Sequence, residues 1–170
     1  MKETTLSQFA DSVASSAPVP GGGSVAAVCG VLSGALSEMV AGLTIGKKKY
    51  AEQEKEMNEI KENALRLRNK LIEYIEKDSI TYNNVMDAYR LPKSTEEEKA
   101  ARKRAIEDCS KLAASVPLEV ACASYEIFPL AEAVVSKGNS NAVTDGLVSA
   151  MLARTAVLSA ILNVRINRSE

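Results

Sequence analysis

The chain has 170 residues, 46% of them apolar and 25% charged. That is enough for one ordinary domain, expected over 1–170, and too apolar for a disordered segment. Its 21 basic and 22 acidic side chains leave a net charge of −1, which excludes the broad basic footprint of a nucleic-acid binder. It has no histidine, so the usual general base and the commonest metal ligand are both missing.

The opening MKETTLSQFADS carries no apolar signal core, and a cytoplasmic location is expected. Thr5 caps a first helix to about Ser15, and the run from Ala17 to Gly23, with Pro18 and Pro20, breaks it. Ser24 is the expected N-cap of a second helix that runs to about Ile45 and stops at Gly46. A long third helix is predicted from Ala51 to Arg90. Thr95 with Glu98 forms a capping box for a fourth, reaching about Ser115. Pro117 opens a fifth, shifted by Pro129 and ending near Lys137 and Gly138. A last helix starts around Ser140 or Asn141 and reaches about Val164. No stretch alternates like a strand, so the fold class is an all-α bundle of five to six helices with a long central one.

Two of these helices are nearly uncharged: Glu38 is alone between Ser12 and Gly46, and Arg154 is alone between Gly146 and Val164. A membrane span needs about 20 predominantly apolar residues. Here a charge and several Ser, Thr and Gly interrupt each run, so we read them as buried in a soluble core or an oligomer interface, with no membrane partner. Two such surfaces exceed what one small bundle covers, and a homodimer takes up the excess.

The third helix carries an apolar stripe of Met57, Ile60, Ala64, Leu67, Leu71, Ile75, Tyr82, Val85 and Tyr89, and helical steps from Ile75 to Tyr82 land on Asp78. A carboxylate in that seam must be paired, hydrogen-bonded or shifted in pKa, whether it is functional or a structural ion pair. Asp145 lies in the first turn of the last helix, where acids complement the dipole in any case, on a line with Ser149 and Asn163. The turn from Gly21 to Ser24 is no phosphate loop, because no Gly-Lys-Ser/Thr follows. It is either a tight inter-helix turn or a set of backbone donors for an anion. Lys47, Lys48 and Lys49 are a solvated cluster at a helix end or a landing site for carboxylates. Glu38 reads as a paired structural charge, and Met39, Met57, Met86 and Met151 as core. Cys29, Cys109 and Cys122, far apart and without CxxC spacing, read as small buried thiols rather than a zinc site, and no metal is expected.

Taken in order, the motifs from Pro20 to Ala27, Thr44 to Lys48, Asp78, Ala88 to Lys93, Ser115 to Leu118, Lys137 to Asn139, Asp145 and Asn163 to Asn167 span nearly the whole chain. In this the sequence resembles the formiminotetrahydrofolate cyclodeaminase family. That family includes the deaminase domain of formiminotransferase-cyclodeaminase and stand-alone microbial methenyltetrahydrofolate cyclohydrolases. The resemblance implies an all-helical homodimer without metal or permanently bound cofactor. Its substrate is a reduced, often polyglutamylated folate, and a formiminotransferase is an expected functional partner. The implied reaction closes 5-formiminotetrahydrofolate to 5,10-methenyltetrahydrofolate with loss of ammonia. The alternative is cyclohydrolysis of the methenyl compound to 10-formyltetrahydrofolate on the same scaffold. A non-catalytic helical dimer is the reading outside that class.

With no histidine present, Asp78 and Asp145 jointly are the implied acid–base groups. Asn139, Asn163 and Asn167 are implied contacts for the pterin or the one-carbon oxygen. Lys47, Lys48 and Lys93 are implied holders of the glutamate tail, and Gly22, Gly23 and Ser24 supply backbone donors nearby. Relatives continue past the motif ending at Asn167 with an acidic helical tail, whereas three residues follow it here; the body of the site is expected within the chain.

Overall fold

The computed structural model describes residues 4–168, and the extreme ends of the expected 1–170 domain lie outside the described residues. Among the described residues there is no strand, and six α-helices follow one another: α1 Leu6–Ala14, α2 Gly22–Thr44, α3 Glu54–Arg90, α4 Glu96–Tyr125, α5 Ile127–Lys137 and α6 Val143–Arg168. Short 3-10 segments, Lys48–Gln53 and Ser140–Ala142, lead into α3 and α6. The all-α expectation therefore holds, with α3 the longest element at 37 residues.

Local chemistry explains most of the boundaries. Thr5 with Gln8, and Thr95 with Glu98, form reciprocal capping boxes at α1 and α4. Gly46 closes the end of α2 with a φ of +76°, a left-handed value that glycine adopts at little cost. Two expectations are corrected. Ser24 is not the N-cap of α2; Gly21 is, and the helix starts three residues earlier than predicted. The Ser24 hydroxyl is fully buried and turned onto α3, where Ile75 O lies at 3.1 Å and Asp78 Oδ2 at 3.0 Å.

Nor does Pro117 open a new helix, because α4 runs straight through it to Tyr125. A proline inside a helix orphans the carbonyl four residues back, and that carbonyl belongs to Ala113. Asn167 Nδ2, from the end of α6, donates to Ala113 O at 2.8 Å and fills the gap. Pro129 is tolerated in the first turn of α5, where its missing N–H has no partner to lose.

The core is built on α2, which packs against α3, α4, α5 and α6. Its small residues permit close approach: a Cβ on Gly30 would stand 2.6 Å from Ser124 Oγ and 3.0 Å from Leu71 Cδ1. Leu67, Leu71, Val116, Val120 and Ile127 fill one buried cluster with Ala26 and Ala27, and Met57, Val40 and Val134 fill another. α6 runs antiparallel to α2, tied by Ser37 Oγ to Ser149 Oγ at 2.8 Å and by Ser149 Oγ donating to Ser33 O at 2.7 Å. Glu38 is paired as expected, with Arg68 Nε at 2.9 Å.

Part of the predicted core is on the surface instead. Met39 and Met151 are exposed, Tyr89 is partly so, Cys122 is exposed, and Cys29 and Cys109 are half-buried. By length and composition α2 and the stretch Ser140–Asn167 could each cross a membrane, and both leave apolar side chains uncovered. The uncovered residues form one stripe on each helix: Leu32, Met39 and Leu43 on α2, and Leu147, Met151, Leu158 and Leu162 on α6.

Candidate active site

The start of α2, the middle of α3, α4 and the end of α6 meet around a cavity of about 250 Å³. Gly21, Gly22 and Gly23 form one wall and Asp78 stands beside them. Tyr82, Val85, Met86 and Ile166 give apolar surface, while Ser110, Asn163 and Asn167 add polar atoms. Sites that enclose a whole drug-sized ligand measure roughly 300–1,000 Å³. This cavity suits one ring system with its reactive group, and any long tail must lie outside it.

Asp78 is the only ionisable carboxylate among the lining residues. The first turn of α2 faces it, so unpaired helix-end N–H groups and the dipole point toward its charge. Ser24 holds Oδ2 through its hydroxyl at 3.0 Å. Burial pushes the Asp78 carboxyl above the usual carboxylate range, and the Ser24 hydroxyl and backbone N–H offset part of that rise. A proton acceptor or donor nearer to neutrality than a free aspartate is the result. Gly23 is needed for this contact, since a Cβ there would stand 2.6 Å from Asp78 Cγ and overlap Oδ1.

The two asparagines at the end of α6 come to the same place. Asn163 Nδ2 donates to Ser159 O at 2.8 Å, and the amide lies against Gly22. Asn167 spends one amide hydrogen on Ala113 O, the carbonyl freed by Pro117. Since a main-chain carbonyl can only accept, both amides are fixed with nitrogen toward the backbone. Gly22, Gly23, Asp78, Asn163 and Asn167 thus line one cavity, with Ser24 bonded to Asp78 behind it.

The other implied residues are not there. Asp145 is half-buried at the opposite end of α6, 18 residues from Asn163 and so roughly 27 Å away along the helix. Asp78 and Asp145 therefore do not meet within one subunit. Lys47 and Lys48 are exposed past the far end of α2, and Lys93 is exposed in the α3–α4 loop outside the cavity lining. Asn139 is 5% exposed and is engaged as a latch. Its N–H donates to Thr44 Oγ1 at 2.8 Å, its Nδ2 donates to Leu43 O at 3.2 Å, and its Oδ1 accepts from Asn141 N–H at 3.2 Å.

At this second end Tyr50 also bonds Ser140, and that hydroxyl together with nearby Lys49 lowers the phenol to about 8. Ser110 and Met86 were missed by sequence reasoning: the first has no pattern signal, and the second reads as ordinary core. Among the described residues no three His, Cys, Asp or Glu side chains gather as a metal site would require.

Known proteins resemble this chain in sequence and fold. Residues 5–170 match the family model described as formiminotransferase-cyclodeaminase. A methenyltetrahydrofolate cyclohydrolase of Methylorubrum extorquens is 45% identical over 96% of this chain and 78% of its own. The formimidoyltransferase-cyclodeaminase of Mus musculus is 30% identical over 97% of this chain, which spans only 30% of that protein's length. The crystal structure of formiminotetrahydrofolate cyclodeaminase from Thermotoga maritima superposes with a TM-score of 0.87 at 36% identity, covering 99% of this chain and 80% of the other. A family match over nearly the full length, with a fold that superposes on a solved cyclodeaminase over 99% of the chain, places the chain in the formiminotransferase-cyclodeaminase family.

Proposed function

We propose that this chain is a folate-dependent one-carbon enzyme acting at the carbon between N5 and N10 of tetrahydrofolate, with Asp78 as its acid–base group and no permanently bound cofactor. The observation that carries this is the placement of Asp78: one carboxylate, raised in pKa by burial, set in a cavity sized for a ring system and its one-carbon unit.

The first reading is hydrolysis of 5,10-methenyltetrahydrofolate to 10-formyltetrahydrofolate, favoured by the 45% identity to a bacterial cyclohydrolase. The methenyl group is a cation shared between N5 and N10, and a nearby carboxylate stabilises it. Asp78 takes a proton from water as its oxygen bonds to the carbon. The tetrahedral adduct then loses its hydroxyl proton while the C–N5 bond breaks and N5 is protonated, leaving the formyl group on N10 and one proton released overall.

The second reading is cyclodeamination of 5-formiminotetrahydrofolate, favoured by the superposition on the Thermotoga maritima structure. N10 attacks the formimino carbon and its proton passes to the imino nitrogen; Asp78 donates a second proton, the C–N bond to that nitrogen breaks, and ammonia leaves the methenyl cation behind. Both substrates test the proposal directly. Decay of the methenyl absorbance supports the first reading; its growth from the formimino compound with ammonia release supports the second. No turnover of either compound overturns both.

A homodimer gives Asp145 its place in this scheme. Asp145 and Asn163 lie nine residues on either side of Arg154 on α6, along which the exposed apolar stripe runs. A two-fold axis crossing α6 near Arg154 would exchange its ends, setting the partner subunit's Asp145 beside the Asp78 cavity, with Lys47 and Lys48 near enough to meet a polyglutamate tail. The expected result is that Asp78→Asn and Asp145→Asn are each inactive, yet recover about a quarter of wild-type activity when dissociated, mixed and reassociated. An Asp145→Asn variant that is fully active on its own reduces Asp145 to a helix-dipole residue. We propose a cytoplasmic protein, with its apolar stripes covered by the second subunit rather than by a membrane, and a formiminotransferase as the supplier of substrate in the second reading.

A further inference from the structure

Two buried hydroxyls among the described residues have no hydrogen-bond partner, Ser110 Oγ and Ser124 Oγ. Enclosed polar groups are nearly always satisfied, so each calls for a reason. Ser124 has a packing reason, because it fills the narrow gap between α4 and Gly30 of α2 deep in the core. Ser110 differs, since the residue lines the Asp78 cavity, and its hydroxyl, enclosed in the empty protein, needs only a turn about its single side-chain bond to face that space. It stands one turn before Ala113, whose carbonyl is already taken by Asn167. The neighbouring Thr81 hydroxyl is likewise committed, to the Lys77 and Asp78 carbonyls at 3.1 and 3.0 Å.

The Asp78 carboxylate and the amide oxygens of Asn163 and Asn167 offer the cavity acceptors, while the Tyr82 hydroxyl and the remaining amide hydrogens of the two asparagines are donors beside Ser110. Ring N–H and amino groups of a ligand can be met by those oxygens. Its ring carbonyl or unprotonated ring nitrogen needs a donor, and the Ser110 hydroxyl has its hydrogen uncommitted.

We propose that Ser110 is a ligand-recognition residue whose hydroxyl donates to an acceptor atom of the bound heterocycle. This rests on the reading of the cavity as a tetrahydrofolate site. A buried hydroxyl made for a ligand has a distinctive signature. It contributes nothing to the empty protein, and it discriminates strongly once the ligand is present.

The test is tetrahydrofolate binding by isothermal titration under anaerobic conditions, together with thermal melting of the ligand-free protein. For Ser110→Ala we expect affinity to weaken about three- to tenfold, the worth of one neutral buried hydrogen bond, with the ligand-free melting temperature unchanged or raised. In turnover the loss should fall on KM, with kcat preserved, which separates recognition from chemistry. Ser124→Ala, the other orphan, should bind tetrahydrofolate as wild type does. Wild-type affinity in Ser110→Ala overturns the proposal, as does a lowered melting temperature of the empty variant, which would mark a structural role. If the wild-type protein itself does not bind tetrahydrofolate, the functional reading falls and the inference falls with it.

Discussion

Asp78→Asn is expected to lower kcat/KM by about 10²- to 10⁴-fold, the usual worth of a positioned acid–base group, while the protein still folds. The substitution keeps the side chain's shape and can keep its contact with Ser24, whose hydroxyl lies 3.0 Å from Oδ2. It removes the ability to carry a proton. It also changes how stability depends on pH, with a definite sign. Burial raises the folded-state pKa of Asp78 above its ordinary 3.8, so the folded protein holds that proton more tightly than the unfolded chain. The stabilisation is fully present below the unfolded value and is lost as pH rises through the folded one. The stability of wild type minus that of Asp78→Asn, measured by denaturant titration from acid to neutral pH, should therefore decline as pH rises. A flat or rising difference would show that the helix end and Ser24 outweigh the desolvation, and a base with an unraised pKa would have to be considered.

How much of this site the sequence displays depends on the distance over which a signal acts. Capping boxes at Thr5 and Thr95 are legible because the partners lie three residues apart. The inward position of Asp78 is legible because α3 is regular and its apolar face repeats. The pairing of Glu38 is legible as a lone charge that needs a partner, although the partner, Arg68, is not.

What fails is whatever depends on tertiary contact. Pro117 reads as a helix start because the sequence alone offers no substitute for the N–H it lacks; the substitute comes from Asn167, fifty residues on. Ser24 reads as a cap because serine is favoured there, but a buried carboxylate on another helix has a stronger claim on its hydroxyl. Asp145 and Asn163 share a line on one helix face, which is true of the helix, but the line is 18 residues long and its ends cannot touch one ring. Ser110 gives no warning at all, since a serine in a helix is unremarkable until the space beside it is known. The same contact explains why Asn167 holds its position: the carbonyl freed by Pro117 anchors the end of α6 against α4, and both partners line the cavity.

Gly23→Ala should be almost as damaging to activity as the loss of Asp78 itself, with a much smaller effect on the fold. A methyl group at Gly23 overlaps Asp78 Oδ1 and stands 2.6 Å from Cγ, so the carboxylate must rotate or shift. The obstructing atoms are the end of a side chain rather than backbone, and the structure can yield at a cost of about 1–3 kcal/mol. The chemistry cannot yield as easily, because a displacement of about 1 Å in a catalytic group is worth roughly 10²-fold in rate. We therefore expect kcat to fall about 100-fold in a protein that still unfolds cooperatively. Gly22→Ala is the matched control: its added carbon would rest 3.4 Å from Asn163 Nδ2, an ordinary contact, and activity should stay within about tenfold of wild type. The contrast isolates the position of one carboxylate from the general sensitivity of a glycine-rich helix start. Equal losses in the two variants would mean that the backbone of the turn, rather than the placement of Asp78, limits the reaction.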